Sequence, residues 1–508
     1  MSMPSRFWRL PLLAVAIVVG ALVVGCGSSS DSSSSSGGAS FTGDALSNVD
    51  AAGTRAVQSK INSGNVTQLE EAWSIPVNGT GVYGSYASTP VIANGVIYSQ
   101  DLESNVEAVD LAGGDVLWTK KFESPSHGPN GLAVADGHVY GATASEAFAL
   151  DQETGKQVWQ VELEGSIDMA PGVDDGKVYI STVPETPAAE YEAGEVGTLW
   201  VMDGKTGKKL WHWDTVPKSL WGKPKVNSGG GLWYPPSFDS KGFVYAGTGN
   251  PAPLPGAPGE PYGSSRPGSN LYADSLVKLD PKTGKLLWHY QETPHNIYDW
   301  DFQNSPIITK AGGKEVAIGS GKSGYVVAAD VKTGKPVWRT AVGKHNGHDK
   351  DPLYAMRGEY DKIKPGEVFP GAIGGVVALA AADDKRIYVP IVNHSLTLVN
   401  GEETTEESAA TGEVAALDLA TGKIAWTAEL PQPAYGSLVV SNDVLFATTA
   451  DGIVHALDTA KGGEVWQAAL PSGTNAGVML SGDMLVAGAG LPAVEGQTPK
   501  LVAYKLGG

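Results

Sequence analysis

Residues 418–426 read Asp-Leu-Ala-Thr-Gly-Lys-Ile-Ala-Trp. An apolar residue precedes the aspartate, Thr-Gly supplies a tight turn, and tryptophan follows eight positions after the aspartate. The same offset recurs at Asp110 to Trp118, Asp151 to Trp159, Asp203 to Trp211, Asp280 to Trp288, Asp330 to Trp338 and Asp458 to Trp466. A fixed spacing repeated at about 40 residues where no insertion intervenes marks a propeller or a solenoid. The chain between the tryptophans decides the content of each unit. VIANGVIYSQ around Asn94-Gly95, AVADGHVYGAT around Asp136-Gly137 and VDDGKVYIST around Asp175-Gly176 are alternating apolar strands flanking hairpin turns. Each unit is therefore a small antiparallel sheet that cannot bury both faces alone. Such sheets must stack, and a closed ring of them leaves no exposed end.

The two ends of the array complete one another. Trp73, in LEEAWSIPV, has an outer-strand pattern with no Asp-Thr-Gly turn before it, and the C-terminal LVAYKL has an inner pattern with no outer strand after it. Adding Trp73 to the seven gives eight blades. The expected fold is all-β, an eight-bladed β-propeller with tryptophan-docking repeats, its ring closed by an N-terminal strand and spanning residues 44–508.

Composition agrees with this and narrows the function. The 508 residues include 66 Gly and 32 Pro, with 42% hydrophobic and 18% charged residues, too apolar for disorder and too rich in turn formers for a helical bundle. One cysteine excludes an internal disulfide, a multi-cysteine metal site and Cys-x-x-Cys-His haem attachment. A net charge of −19 repels phosphate, so nucleic acid is not expected as a partner. No Gly-x-Ser-x-Gly elbow or His-Glu-x-x-His helix occurs. GSGKSG (319–324) is not a phosphate loop, because Val316 stands where glycine is needed and YVVAAD after it is a strand.

The first 43 residues read as an address and a tether. Arg6 and Arg9 precede an apolar run that ends Leu22-Val23-Val24-Gly25-Cys26, shorter than the roughly 20 residues of a spanning helix. The ending resembles a bacterial lipobox, which implies a signal peptide over 1–25 and lipid on the Cys26 thiol. Residues 26–43 then form a Ser/Gly-rich tether. The expected location is extracytoplasmic, in the periplasm or at the cell surface, with membrane contact through the lipid anchor.

The repeats, together with TRAVQSKINSGNVTQLEEAW (54–73), GGGLWYPPSFD (229–239), GTGNPAP (247–253) and TPHNIYDWD (293–301), resemble the quinoprotein alcohol dehydrogenases from about residue 44 to the C-terminus. The resemblance implies pyrroloquinoline quinone (PQQ) as cofactor, a flat ortho-quinone with three carboxylates. It needs an aromatic floor, hydrogen-bond or cationic partners, and a hard cation with oxygen ligands. Carried over residue by residue, Trp233 falls on the stacking tryptophan, Asn250 on the metal-binding asparagine, and Lys322 on the Arg or Lys beside the quinone oxygens. Glu192 falls on the metal glutamate, with Glu195 its rival in a glutamate-rich loop. Asp299 falls on the catalytic base and metal ligand, and Asp301 follows at spacing two. In an extended segment both carboxylates project to one side, and two like charges held together call for a cation. A second Asp at this spacing resembles the members that use lanthanide ions, so calcium or a lanthanide is expected; Asn296 replaces the usual acid upstream.

Two departures accompany the match. Asn130-Gly131 stands where soluble members carry adjacent cysteines over the cofactor, and Asp136 stands near the family's arginine; His127 is either a replacement cover for the ring or, by default, an exposed loop histidine. The expected activity is oxidation of a small alcohol or polyol by hydride transfer to PQQ, with electrons leaving to an external acceptor; a positively charged small cytochrome suits the acidic chain. Successive motif aspartates lie 41, 52, 77, 50, 88 and 40 residues apart, so the extra chain falls in the middle of the ring, where the candidate ligands are. The competing reading is a lipoprotein propeller without enzymatic activity, resembling outer-membrane assembly scaffolds, or a relative that has lost its cofactor.

Overall fold

Alternating apolar and polar residues fold each repeat into a four-stranded antiparallel sheet whose inner strands are buried throughout. In the first blade, strands Val91–Ala93, Val96–Gln100, Val106–Asp110 and Val116–Lys120 pair in order. Every residue of Val96–Gln100 is buried, while Val116–Lys120 faces outward. Six further blades occupy residues 133–162, 172–214, 237–291, 307–341, 381–430 and 439–469. The eighth takes three strands from 479–506 and its fourth, Leu69–Pro76, from the N-terminal side, pairing antiparallel from Leu69 with Leu506 to Pro76 with Lys500. The computed structural model thus has the expected architecture. It describes residues 41, 43–184, 192–399, 402–404, 410–491 and 496–507. The chain divides into units 1–38 and 39–508, and all described residues belong to the second. The signal run over 1–25 and Cys26 lie outside the described residues, as does most of the tether.

The repeated motif works as a joint between blades. The indole N–H of Trp73, Trp118, Trp159, Trp211, Trp288, Trp338 and Trp426 donates to the carbonyl one residue past the motif aspartate of the next blade, at 2.7–3.2 Å. The indole ring lies over the motif glycine. At Gly114, Gly155, Gly207, Gly284, Gly334, Gly422 and Gly462, φ is 65–77° and a Cβ would fall within 2.8 Å of the ring. Glycine is needed there twice over, for the left-handed backbone and for the close approach. The aspartate fixes the turn: in five copies its Oδ1 accepts from the backbone N–H and the hydroxyl of the threonine three residues on, as Asp203 does from Thr206 at 2.9 and 2.6 Å. Trp73 docks on Leu111 of the first blade, which closes the ring.

Residues 44–61 run around the inside of the ring. Their backbone bonds first strands, Ala45 with Val134, Ala51 with Phe238, Ala52 with Ile308, Thr54 with Ala382 and Arg55 with Val440, and then the first turn of the last blade, Lys60 with Gly482. The long insertions add structure of their own. Residues 340–372 carry the helix Asp351–Met356, and Gly366–Val368 pairs with Leu396–Val399 in a separate small sheet. Among the described residues no helix is long and apolar enough to cross a membrane.

Candidate active site

In a four-stranded antiparallel blade the first and third turns open on one face, and the second turn and the link to the next blade open on the other. Trp233 lies in the link entering the fourth blade, Asn250 in that blade's second turn, Asp299 and Asp301 in the link leaving it, and Lys322 in the second turn of the fifth. Topology alone therefore brings all five to one face, drawn from neighbouring blades.

They meet in one cluster. Lys322 Nζ lies 2.9 Å from Asp299 Oδ2 and 2.7 Å from Asp301 Oδ2. Asn250 Nδ2 donates to Asp299 Oδ1, and the Asn250 backbone N–H donates to Asp301 Oδ1 at 2.7 Å. Asp301 and Asn250 are buried, whereas the Asp299 side chain is 27% exposed, so Asp299 is the carboxylate that an entering molecule can reach. Burial works against the charge on Lys322, but Asp299 and Asp301 outweigh it and hold its pKa above the usual lysine range. The cation that two adjacent carboxylates require is here partly supplied by the chain itself. Asn250 Oδ1 is buried with no hydrogen-bond partner. Trp233 is half-buried beside the cluster: a Cβ on Gly249 would lie 3.3 Å from both Trp233 Nε1 and Asp301 Oδ1. Glycine at 249 lets the indole and the carboxylate approach each other.

The segment that carries the aspartates is turned rather than extended. Asn296 Oδ1 accepts from the backbone N–H of Tyr298 and of Trp300, both at 3.0 Å, and Asp299 has φ of 58°. The carboxylates still converge, because the turn and not the strand pleat aims them. Two side chains pin this loop to the insertion at 340–372: the Tyr298 hydroxyl donates to Asp351 at 2.6 Å and Trp300 Nε1 to the Pro370 carbonyl at 3.0 Å. Asn296, which breaks the family's acidic pattern, is thus the residue that shapes the loop.

A third carboxyl lies behind the cluster. Asp274 is fully buried and accepts from Asn296 Nδ2 at 3.0 Å. Burial first, and the Asp301 charge second, raise its pKa well above the carboxylate range. Arg266, also buried, donates to Asn270 Oδ1 at 2.6 Å and to the Asn296 carbonyl at 2.8 Å. Burial pushes the phenols of Tyr234 and Tyr435 up to about 12, against the charges of Arg55 and Lys322 at Tyr234 and of Lys322 at Tyr435. None of these four is singled out by the sequence, since each is a lone residue whose burial, not spacing, gives it a role.

Glu192 is not joined to the cluster by any hydrogen bond or ion pair among the described residues. It is exposed and directly follows residues 185–191, which lie outside the described residues. Glu195 is half-buried; its backbone carbonyl accepts from Gly229, and the next residues pair Val196 with Gly229. Among the described residues no three His, Cys, Asp or Glu groups form a metal-holding set, so the oxygen donors brought together are Asn250, Asp299 and Asp301. Asp136 sits exposed in a first-turn hairpin, on the face away from the cluster. His127 contacts the buried Asp168, its backbone N–H donating to Asp168 Oδ1 at 3.3 Å.

The profile of the glucose/ethanol/alcohol dehydrogenase β-propeller domain, the PQQ family, matches residues 48–135 and 167–342, just over half of the chain. The chain belongs to that family. A second profile, for the outer membrane protein assembly factor BamB, matches residues 102–227 and 362–507. Trp233, Asn250, Asp299, Asp301 and Lys322 all fall inside the dehydrogenase match and outside the assembly-factor match. Among curated relatives, the quinohemoprotein alcohol dehydrogenase of Comamonas testosteroni is 33% identical over 377 residues, covering 64% of this chain and 51% of that protein. The quinoprotein alcohol dehydrogenase PedH of Pseudomonas putida is 27% identical over 472 residues, covering 76% and 75%. The chain spans about half the length of several of the curated relatives it matches. The crystal structure of the Comamonas testosteroni enzyme superposes with a TM-score of 0.77 at 26% identity, covering 92% of this chain and 81% of that one. A europium-containing methanol dehydrogenase shares the fold, with a TM-score of 0.74 at 20% identity over 91% and 97% of the two chains.

Proposed function

We propose that this chain oxidises an alcohol or polyol, with bound PQQ as hydride acceptor and Asp299 as the base that takes the hydroxyl proton. The observation that carries this reading is the convergence of Asn250, Asp299, Asp301 and Lys322 beside Trp233, all within the segment matched by the dehydrogenase profile. The residues present suit both groups. Two carboxylates face one ammonium, leaving the cluster short of positive charge, and Asn250 Oδ1 is a buried oxygen awaiting a partner. Such a set of hard oxygen donors fits calcium or a lanthanide rather than a soft metal. In this reading Asn250, Asp299 and Asp301 hold the cation, and Glu192 supplies a further oxygen, with Glu195 as its rival. Trp233 offers a flat apolar surface to the quinone, and Lys322 a positive charge to its oxygens.

When bound, the cation and quinone supply a polarised carbonyl that accepts hydride. The remaining work falls to the chain. Asp299, the partly exposed member of the pair, receives the proton at a carboxylate oxygen; Lys322 and Asn250 hold that carboxylate in place. Asp301 fixes Lys322 and the Asn250 backbone from the buried side.

The reading extends to the rest of the chain. Residues 1–25 are proposed as an export signal, residues 26–43 as the tether lipidated at Cys26, and residues 44–508 as the propeller, an arrangement supported by the sequence pattern alone. A cationic electron carrier such as a small cytochrome fits the net charge of −19. The assembly-factor match over 102–227 and 362–507 supports a second reading, a scaffolding propeller without turnover. Dye reduction by the purified chain supplied with PQQ and either calcium or a lanthanide, over a panel of alcohols and polyols, separates the two. Turnover that disappears in Asp299→Asn supports the dehydrogenase; no turnover with any substrate or cation favours the scaffold. Labelling with a fatty acid, lost in Cys26→Ser, tests the anchor.

A further inference from the structure

A small, partly open cavity of about 40 Å³ lies among the loops that enter the blades and the N-terminal segment. Arg55, Asn48, Asn130, Tyr234, Ser437 and Asn475 line it. Arg55 is 1% exposed. Its Nε donates to the Leu438 carbonyl at 2.5 Å and one terminal nitrogen to the Ser47 carbonyl at 2.8 Å, while Nη2 is buried with no partner. Burial lowers its pKa only to about 10, so the guanidinium stays charged at neutral pH. No carboxylate of the described residues lies within 4.0 Å of it. Asp50, the acid whose charge it feels, has its oxygens engaged by the backbone N–H and the hydroxyl of Thr54. A buried charge whose carboxylate partner stands beyond ion-pair distance is only partly compensated, and carbonyl dipoles alone do not make up the rest.

We propose that this cavity binds one compact monovalent anion against Arg55 Nη2. The rest of the lining is suited to it. Ser437 Oγ accepts from the Leu379 N–H at 3.3 Å, leaving its proton to donate. Asn475 has an unpartnered side-chain oxygen, and its amide can turn to present N–H instead, whereas the Asn48 nitrogen donates to the Pro235 carbonyl at 3.4 Å. Asn130 is likewise committed, its nitrogen donating to the Asp101 carbonyl at 2.8 Å. A single water needs about 10–15 Å³ of such space, so the cavity holds roughly three waters, or a halide or a small carboxylate such as formate in their place. The site is built from the N-terminal segment and the blade-entry loops, and it stands whether or not the chain binds quinone.

The test uses the full chain without quinone. Thermal midpoints are measured at constant ionic strength while gluconate, too large for the cavity, is exchanged for chloride, bromide or formate. A saturating rise is expected with the compact anions, as linkage requires for a ligand of the native state. Arg55→Met removes that rise, and the halide and formate series tell a free halide from a carboxylate. Crystals of the unsubstituted protein grown in bromide give an anomalous peak beside Arg55, which keeps the test independent of whether the variant folds. Midpoints that are identical in all four anions, or a water alone beside Nη2 in bromide crystals, overturn the proposal.

Discussion

Asp299 reaches Asn250 and Lys322 from a left-handed backbone, φ 58°, a conformation that costs a non-glycine residue on the order of 1 kcal/mol and persists only where the surroundings enforce it. Asn296 enforces it by bonding the N–H groups on either side. Asp299→Asn keeps shape and turn but removes the base, so kcat should fall by about 10²–10⁴-fold with the circular dichroism spectrum unchanged; unaltered turnover would remove Asp299 from its role. A pH effect belongs to Asp168, whose carboxyl is pushed by burial from the ordinary 3.8 up to about 6, with His127 acting against the shift. The native state therefore holds this proton where the unfolded chain has lost it, and stability falls as pH rises between about 4 and 6. Above that window the cost of the buried charge is fully present. Asp168→Asn should raise stability at pH 7.5 by on the order of 1–3 kcal/mol, with the gain vanishing near pH 4; denaturant titration at the two pH values measures it. Trp233, Asn250, Asp299, Asp301 and Lys322 were legible because each sits in a distinctive local string. Asp274, Arg266 and Arg55 were not, because a solitary charged residue reads as surface until the fold buries it.

The motif joint makes predictions at the level of the element. Gly284 has φ of 68°, and a Cβ there would lie 2.5 Å from the Trp211 ring. Gly284→Ala should cost about 2–4 kcal/mol, from the backbone strain and the displaced indole together. Trp211→Phe keeps an aromatic ring in the joint but loses the N–H bond to the Pro281 carbonyl, and should cost roughly 1–2 kcal/mol in the same denaturation assay. This joint was readable because its parts recur at fixed offsets, Asp, Gly four later and Trp eight later, and only the partner blade had to be inferred. The loop at 293–301 was not. Reading it as extended put both carboxylates on one side by pleat, whereas a single side chain, Asn296, turns the backbone and brings them together by another route. Glu192 was placed by its spacing, eleven positions before Asp203, in a glutamate-rich loop, and no described contact ties it to the cluster.

At the scale of the molecule, the ring is closed by eight residues from far away in sequence, Leu69–Pro76 against Lys500–Leu506, with Trp73 docking on Leu111. A chain beginning at residue 78 should lose its single cooperative unfolding transition, since the eighth blade then exposes a strand edge and the first blade loses its docked indole. A sharp transition at the full-length midpoint would show that closure contributes little. The eight-fold architecture was fully legible, because repetition averages over local ambiguity. The convergence of Asn250, Asp299, Asp301 and Lys322 on one face was legible, because the order of turns and links in the repeat decides which face each loop opens on. What the sequence does not display is that one ammonium, Lys322, offsets only part of the charge of Asp299 and Asp301, and the central claim turns on that balance. The direct test is equilibrium binding of PQQ to the purified chain, followed by quinone fluorescence with and without calcium or a lanthanide. The account predicts saturable uptake of one quinone per chain that depends on the cation and is weakened in Asp301→Asn. Absence of saturable uptake with either cation would contradict it.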